Sequence, residues 1–342
     1  MTEPRARRAR AALRLAGPAA GVVVLGACSR RAPSTLDPHG SAAARINGVW
    51  WLMLALAVAV FAVVGGLLLV GAFRRPRGEG DETAGGRDGP TDTTWILAGG
   101  VIIPTVILLV LAVDTVRTTR ALRAAAHAGV EHVEVVGNDW WWEVRYPREG
   151  VLTANEVHIP LGRPIEIGLT TKDVIHSFWV PQLAGKLDTI PGQRNVLRFK
   201  ATRTGTYRGE CLQYCGLQHA NMGFLVVVQS PADFATWAAD NAQPPPTPSD
   251  PLVAEGEQVF TNQPCAGCHT IRGTSATGTR GPDLTHFGSR LAIGANAVPN
   301  TAANLGAWVS NSQDVKPGNL MPPIPLSGEE LRAVVAYLEG QR

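Results

Sequence analysis

The sequence predicts a multi-domain membrane protein, in which a two-helix transmembrane hairpin precedes an all-β domain and an all-α domain. Three patterns support this: two long uncharged apolar runs, then short alternating runs of β-branched residues, then a proline-rich stretch followed by helical periodicity. Charged residues make up only 17% of the 342 residues, and the net charge is +3. This composition excludes a disordered chain and a protein that binds nucleic acid through a strongly basic surface.

Residues 1–27 have the composition of an export signal. Five arginines between positions 5 and 14 form a basic segment, and a short apolar stretch ending in small residues follows it. Leu25 stands three positions before Cys28, with small residues between them, as in bacterial lipoprotein signals. We therefore expect a signal peptide of the lipoprotein type and a lipid on Cys28. An ordinary signal peptide with an incidental cysteine is the alternative.

The N-terminal anchor, residues 28–127, contains two runs long enough to cross a bilayer as helices. We predict these helices at about 49–72 and 95–116, each with tryptophan near its start, where the membrane interface favours the ring. Arginines open the connecting segment, which indicates a short cytoplasmic loop. An export signal and two spans then put both ends of the chain outside the cell membrane. Buried core helices of a soluble domain are the alternative.

Two soluble units follow the anchor. Residues 128–240 contain short alternating runs separated by glycine and proline turns, which predicts an antiparallel sandwich or barrel. Residues 241–251 form a stiff proline-rich linker, and residues 252–342 are predicted to be helical. In the last helix Ser327 and Glu330 have the spacing of a capping box.

A haem attachment pattern begins the helical unit. Cys265, Cys268 and His269 form a Cys-x-x-Cys-His motif, in which two thiols reach one haem and the histidine binds its iron. The opposite iron ligand should be soft, and Met321 is the methionine that lies in this unit. His286 is the rival ligand. A redox dithiol or part of a zinc site is the alternative for the motif as a whole.

The helices around this motif are consistent with a haem domain. Gly256 and Phe260 on the first helix are predicted to pack against Tyr337 on the last. Together with the attachment motif, this pattern resembles a class I cytochrome c.

A second cluster of soft ligands precedes the last strand of the β domain. Cys211, Cys215, His219 and Met222 lie within 12 residues, and His176 lies 35 residues before the first of them. Sulfur combined with nitrogen selects copper over harder metals, and the thioether argues against zinc. Two thiolates four positions apart can bridge two copper ions. A disulfide between the cysteines and a zinc site with two cysteines and two histidines are the alternatives.

At this point the sequence resembles subunit II of haem–copper cytochrome c oxidases, in the caa3-type arrangement that fuses a cytochrome c to the copper domain. The resemblance covers almost the whole chain, and it implies a cupredoxin-like barrel with a binuclear copper (CuA) centre. It also implies that Gln213 offers its main-chain carbonyl to copper. Most members have glutamate there, which helps to hold magnesium beside subunit I. An amide is a poorer magnesium ligand, so the sequence does not decide whether magnesium binds there.

The resemblance further implies the function. Trp140 matches the tryptophan through which the family accepts electrons, with a core aromatic as the alternative role. The chain would pass electrons from its haem c to CuA and on to subunit I, where oxygen is reduced to water and protons are translocated. Its partners would be subunit I, other oxidase subunits, and cytochrome c or another one-electron donor, but no nucleic acid. The location would be the bacterial inner membrane, with both soluble domains on the periplasmic side.

Two other functions stay open on the sequence alone. The same copper module could serve a membrane nitric oxide reductase. A lipid-anchored electron carrier or copper-delivery protein is the second possibility, although two membrane helices exceed what a carrier needs.

Overall fold

A computed structural model describes residues 33–73, 90–123 and 129–342 of the chain, except for the side chains of residues 90–92. The expected signal peptide, the lipidation site Cys28 and the loop between the membrane helices therefore lie outside the described residues.

Two apolar helices begin the described part of the chain. Helix α1 is Ser41–Phe73; the second consists of α2 (Pro90–Leu97), a π-helical turn (Ala98–Ile102) and α3 (Ile103–Arg123). Both are long and apolar enough to cross a membrane. They extend beyond the apolar runs because a helix can continue into polar surroundings. The first turn of α1 packs on the β domain, where the Ala43 amide donates to the Leu183 carbonyl at 3.2 Å.

The β domain contains ten strands in two five-stranded sheets. The strands are β1 (Glu131–Asn138), β2 (Trp141–Tyr146), β3 (Val151–Ala154), β4 (Glu156–Pro160), β5 (Pro164–Thr171), β6 (His176–Trp179), β7 (Leu187–Thr189), β8 (Asn195–Lys200), β9 (Gly205–Cys211) and β10 (Gly223–Gln229). One sheet has the order β3-β2-β1-β5-β8, and the other β4-β10-β9-β6-β7.

The expected antiparallel pairing holds for most strands, with two exceptions. Strand β1 pairs with β5 in parallel, and β10 pairs with β4 in parallel. The reason is that the chain changes sheet after β3 and returns for β5, so neighbours within a sheet are not consecutive in sequence. The cupredoxin-like fold is thus confirmed, but its strand order is more complex than the alternating pattern alone predicts.

An aromatic cluster fills the space between the two sheets. The Trp142 ring is fully buried and meets the rings of Phe178 and Phe224 edge to face, at centroid distances of 5.6 and 5.5 Å. Edge-to-face pairs of this kind contribute about 1 kcal/mol each beyond their buried area. This rigid core lies directly beneath the copper motif, because Phe178 pairs with Cys211 across β6 and β9.

The β domain ends in a helix that the sequence analysis did not predict. Helix α4 spans Pro231–Ala242. Ser230 caps it by accepting a hydrogen bond from the Asp233 amide at 3.1 Å, and Pro231 occupies the first turn. Its Phe234 is buried in the β-domain core, so α4 belongs to that domain.

The C-terminal domain is helical, as expected, with one short two-stranded ribbon. Its elements are α5 (Pro251–Asn262), α6 (Cys265–Cys268), β11 (Ala292–Ile293), β12 (Val298–Pro299), α7 (Ala302–Ser310), α8 (Ser312–Val315) and α9 (Gly328–Gly340). The capping box of Ser327 and Glu330 at the start of α9 is confirmed.

The first and last helices of this domain cross where glycine is required. A Cβ atom at Gly256 would lie 2.0 Å from the Ala333 carbonyl oxygen, so only glycine permits this approach. One turn later the rings of Phe260 and Tyr337 meet at a centroid distance of 5.9 Å. The predicted packing of Gly256 and Phe260 against Tyr337 is therefore confirmed.

We predict that Gly256→Ala destabilises the C-terminal domain by about 1–3 kcal/mol, because the helices must separate to admit the methyl group. Hydrogen exchange of the α9 amides, which become exposed when the domain opens, measures the change. Gly306→Ala is the control, since a Cβ there meets only the Val335 side chain at 3.9 Å. Equal protection of α9 in the two variants would contradict the packing argument.

Candidate metal centres

The copper motif occupies the loop between two paired strands. Cys211 is the last residue of β9, and Met222 directly precedes β10. His176 begins β6, which pairs with β9 and brings its ring to the base of the same loop. Strand pairing thus joins the distant histidine to the four donors that the sequence places close together.

The donor atoms converge on one point. The two thiol sulfurs of Cys211 and Cys215 are 3.9 Å apart, against about 2.05 Å in a disulfide. The Cys215 sulfur lies 3.5 Å from Nδ1 of His219 and 3.8 Å from the Met222 sulfur. The ligand atoms of His176, Cys211 and Cys215 all lie within 4.8 Å of one another. This arrangement disfavours a disulfide and fits a soft metal.

The Gln213 carbonyl lies close to the same point. Its oxygen is 3.3 Å from the Cys211 sulfur. The turn between the two cysteines therefore brings a main-chain oxygen beside the thiols, and this contact does not depend on the side chain of residue 213.

The orientation of His176 indicates which ring nitrogen is available to a metal. Its Nε2 lies 2.7 Å from Oδ1 of Asp173, while its buried Nδ1 has no hydrogen-bond partner among the described residues. A buried unpaired nitrogen is costly, and a metal ion would satisfy it. The carboxylate fixes the ring orientation and raises ligand basicity, as outer partners of metal-binding histidines commonly do.

The two thiols and the His176 ring shift one another's pKa values. A hydrogen bond from the Cys215 thiol lowers the pKa of Cys211 to about 3, and the same bond raises the pKa of Cys215. Burial lowers the pKa of His176, but its hydrogen bond to Asp173 and the neighbouring Cys211 sulfur outweigh burial and raise that pKa to about 9. A metal ion must displace these protons when it binds.

Trp140 is hydrogen-bonded directly to the copper motif. It is half-buried in the turn between β1 and β2, and its indole Nε1 donates to the Cys215 carbonyl at 2.8 Å. The preceding Asp139 amide donates to Oδ2 of Asp173 at 2.6 Å. One carboxylate therefore positions both the Trp140 turn and the His176 ring.

In the haem motif, Cys265 is buried, and Cys268 and His269 are half-buried. Cys265 and Cys268 are the first and last residues of α6, and both are free thiols. Nδ1 of His269 lies 2.8 Å from the Pro282 carbonyl, which leaves Nε2 available to iron. Burial lowers the pKa of His269, so the ring is neutral, as an iron ligand must be. A Cβ at Gly281 would lie 2.5 Å from the ring, so glycine makes room for it.

Met321 lies on a loop, and both of its main-chain polar groups are hydrogen-bonded. Its amide donates to Oδ1 of Asn319 at 2.8 Å, and its carbonyl accepts from Ser312 and Gln313, each at 2.9 Å. The rival ligand His286 has its Nε2 2.8 Å from the Gln243 carbonyl of the interdomain linker. That contact engages Nε2 of His286 and therefore favours Met321 as the second iron ligand. The role of Met321 stays a prediction.

Two residues of these surroundings were absent from the sequence analysis. Asp173 stands three positions before His176, and a carboxylate at that spacing beside a metal-binding histidine was a usable signal. Lys316, from the helical domain, donates to the Trp140 carbonyl at 2.6 Å. No local pattern around Lys316 indicates this contact.

Comparison with known proteins identifies the family. Residues 149–230 match the family model "Cytochrome C oxidase subunit II, periplasmic domain", and residues 253–341 match the model "Cytochrome c". The cytochrome c oxidase subunit 2 of Alkalihalophilus pseudofirmus is 33% identical over 317 residues, covering 89% of this chain and 90% of the relative. The chain belongs to the cytochrome c oxidase subunit 2 family. The same protein of a Bacillus species (strain PS3) is 33% identical over 288 residues, covering 78% of this chain and 79% of the relative.

Membership of the cytochrome c oxidase subunit 2 family decides between the functions that the sequence left open. The chain is the electron-input subunit of a haem–copper oxidase, and the nitric oxide reductase alternative is not favoured. Its two soluble domains are of the types that bind CuA copper and haem. The two apolar helices and the periplasmic domain describe a membrane-anchored protein.

We predict that Asp173→Asn weakens copper binding by about 10- to 100-fold, because the amide no longer orients and charges the His176 ring. Copper retained during a titration with a chelator measures the loss.

Glu166→Gln is the matched control for this prediction. It also removes a carboxylate beside a histidine, since Glu166 lies 3.6 Å from His132, but neither residue belongs to a metal motif. Equal copper retention by Asp173→Asn and the wild type would contradict the positioning role of Asp173.

Proposed function

We propose that this chain carries single electrons from a covalently bound haem c to a two-copper CuA centre. The electrons then pass to subunit I, where oxygen is reduced to water and protons are translocated. The observation that carries the proposal is the convergence of two thiols, an imidazole and a thioether around Cys215, in a chain that also holds a haem attachment motif.

The proposed copper ligands converge on the β9–β10 loop, and His176, Cys211, Cys215 and Met222 among them are buried. They are His176, Cys211, the Gln213 carbonyl, Cys215, His219 and Met222. Two thiolates rather than one would favour holding two copper ions at this site. Five of these ligands lie on the β9–β10 loop, and β6 supplies the sixth. A buried site on paired strands keeps its geometry when its charge changes, which favours rapid electron transfer.

The proposed haem ligands divide into tethers and iron ligands. Cys265 and Cys268 would hold the haem covalently, and His269 and Met321 would bind its iron. The Pro282 carbonyl fixes the His269 ring, and the Asn319 side chain fixes the Met321 amide. A thioether ligand raises the potential into the range of an electron carrier. When bound, the haem and copper supply the one-electron chemistry, and the protein supplies ligands, distance and a low dielectric.

Trp140 is proposed as the residue through which the copper domain accepts electrons. Its hydrogen bond to the Cys215 carbonyl supports this role, since that bond links the indole directly to a copper ligand.

The remaining features complete the proposal. Cys28 is lipidated after cleavage of the signal peptide, and the chain resides in the bacterial inner membrane with both soluble domains in the periplasm. Cytochrome c or another one-electron donor reduces the haem domain. The membrane helices and the copper domain bind subunit I and other oxidase subunits. A magnesium ion beside subunit I is not proposed, because Gln213 replaces the usual carboxylate.

We predict that Cys215→Ser abolishes cyanide-sensitive oxygen uptake, because loss of one of the two thiolates would remove the copper centre. The measurement uses the oxidase complex purified through a tag on this chain and an artificial one-electron donor. The haem absorbance should be unchanged, since both haem-attachment cysteines remain.

Cys28→Ser is the matched control, because it makes the same chemical change outside both metal motifs. We expect it to keep full oxygen uptake, and its mass should lack the lipid found on the wild-type chain. Oxygen uptake by a copper-free Cys215→Ser complex, or no uptake by an intact wild-type complex, would contradict the proposed function. Nitric oxide consumption by the wild-type complex would instead support the alternative function in a nitric oxide reductase.

A further inference from the structure

Lys316 of the haem domain is inserted into the copper domain. It directly follows α8, and only 3% of its surface is exposed. Its ammonium donates to three main-chain carbonyls: Trp140 at 2.6 Å, Asn221 at 2.8 Å and Gly294 at 3.0 Å. Two of these acceptors belong to the copper domain and the third to the haem domain. One side chain therefore joins the two domains at the Trp140 turn.

The main chain around Lys316 forms a specific binding site for its ammonium group. Burial lowers the pKa of this lysine to about 7, and among the described residues no carboxylate forms an ion pair with it. The three carbonyls are therefore its main compensation, and hydrogen bonds from a charged donor are the strong ones. Without the ammonium, the same carbonyls would lose a partner in a buried place, which is costly.

Further contacts fix the orientation of the two domains around Lys316. Nε2 of Gln218, on the copper loop, donates to the Pro317 carbonyl at 2.5 Å. The Gly223 amide donates to the Ala295 carbonyl at 3.0 Å, and the Leu291 amide donates to the Glu156 carboxylate at 2.5 Å. Main-chain bonds of this kind define one docked position rather than a loose tether.

Lys316 also lies between the two metal motifs. On the haem side, Asn319 donates to the Lys316 carbonyl at 2.8 Å and accepts from the Met321 amide at 2.8 Å. On the copper side, the Trp140 carbonyl accepts from Lys316, while the Trp140 indole donates to Cys215. A short chain of hydrogen bonds thus links the proposed iron ligand to a proposed copper ligand through this lysine.

We propose that Lys316 is the positioning residue that docks the haem domain on the copper loop, so that Trp140 accepts electrons from the haem domain of its own chain. This inference rests on the proposed function. One electron crosses the contact at a time; the haem domain is oxidised, the copper domain is reduced, and no bond forms or breaks. A soluble donor would then meet the haem domain, because the haem domain covers the Trp140 turn.

A labelling experiment on the wild-type oxidase complex tests the docked position directly. The chain has four lysines, and the other three, Lys172, Lys186 and Lys200, are exposed. Treatment with an amine-acetylating reagent, followed by mass spectrometry, should modify these controls and leave Lys316 unmodified. Acetylation of Lys316 as fast as the controls would overturn the proposal, whether or not the complex is active.

The role in electron transfer is tested with Lys316→Met and Lys316→Arg. The first removes the charge, and the second keeps the charge on a planar group that cannot meet the same three carbonyls. After rapid photochemical reduction of the haem, we expect electron transfer to copper to slow by about tenfold or more, because misplacement by an ångström has effects of this size. The absorbance spectra and midpoint potentials of both centres should remain those of the wild type.

Lys200→Met is the matched control, since it removes an exposed lysine from β8, and it should transfer electrons at the wild-type rate. Hydrogen exchange gives an independent readout: the Gly223 and Leu291 amides should exchange faster in the Lys316 variants. Electron transfer at the wild-type rate with these amides still protected would overturn the proposal. If Lys316→Met does not assemble, Lys316→Arg decides by the same two criteria.

The failure of this inference is distinguishable from failure of the proposed function. If the wild-type complex shows a protected Lys316 but no transfer from haem to copper, the proposed function is wrong. If transfer occurs and the Lys316 variants are normal, only the positioning role is wrong.

Discussion

Cys215 is the residue on which both the copper motif and the Trp140 contact depend. Its thiol sulfur lies close to the Cys211 sulfur, the His219 ring and the Met222 sulfur. Its carbonyl accepts the hydrogen bond of the Trp140 indole. The side chain therefore belongs to the metal site, while the main chain belongs to the path into that site. Any movement of this residue would alter the ligand geometry and the Trp140 contact together. The surrounding β structure holds Cys215 in one position.

The β scaffold provides that rigidity. The copper loop begins and ends in paired strands, and the buried rings of Trp142, Phe178 and Phe224 fill the space beneath it. Strands β6 and β9 fix the distance of His176 from the loop, because their register places Phe178 opposite Cys211. An electron-transfer centre benefits from such a frame, since the geometry need not reorganise with each electron. The haem domain uses the tight crossing of α5 and α9 for the same purpose.

The sequence predicted what depends on local spacing and missed what depends on contacts between distant segments. The attachment motif at Cys265 and the loop from Cys211 to Met222 were recognisable because their chemistry lies within a few residues. The parallel strand pairs were not, because sheet neighbours are set by a crossover rather than by alternation. Lys316 was missed for a similar reason: its partners lie 22 to 176 positions away, and a lone lysine in a sequence is usually solvated.

In the proposed function, one chain holds a haem domain and a copper domain in a docked arrangement for electron transfer. The most direct measurement is the rate at which copper is reduced after a flash of light reduces the haem in the wild-type complex, at several protein concentrations. Haem oxidation and copper reduction should have one common rate, which is independent of concentration because the transfer is intramolecular. A rate that rises in proportion to concentration, or copper that is reduced without haem oxidation, would contradict it.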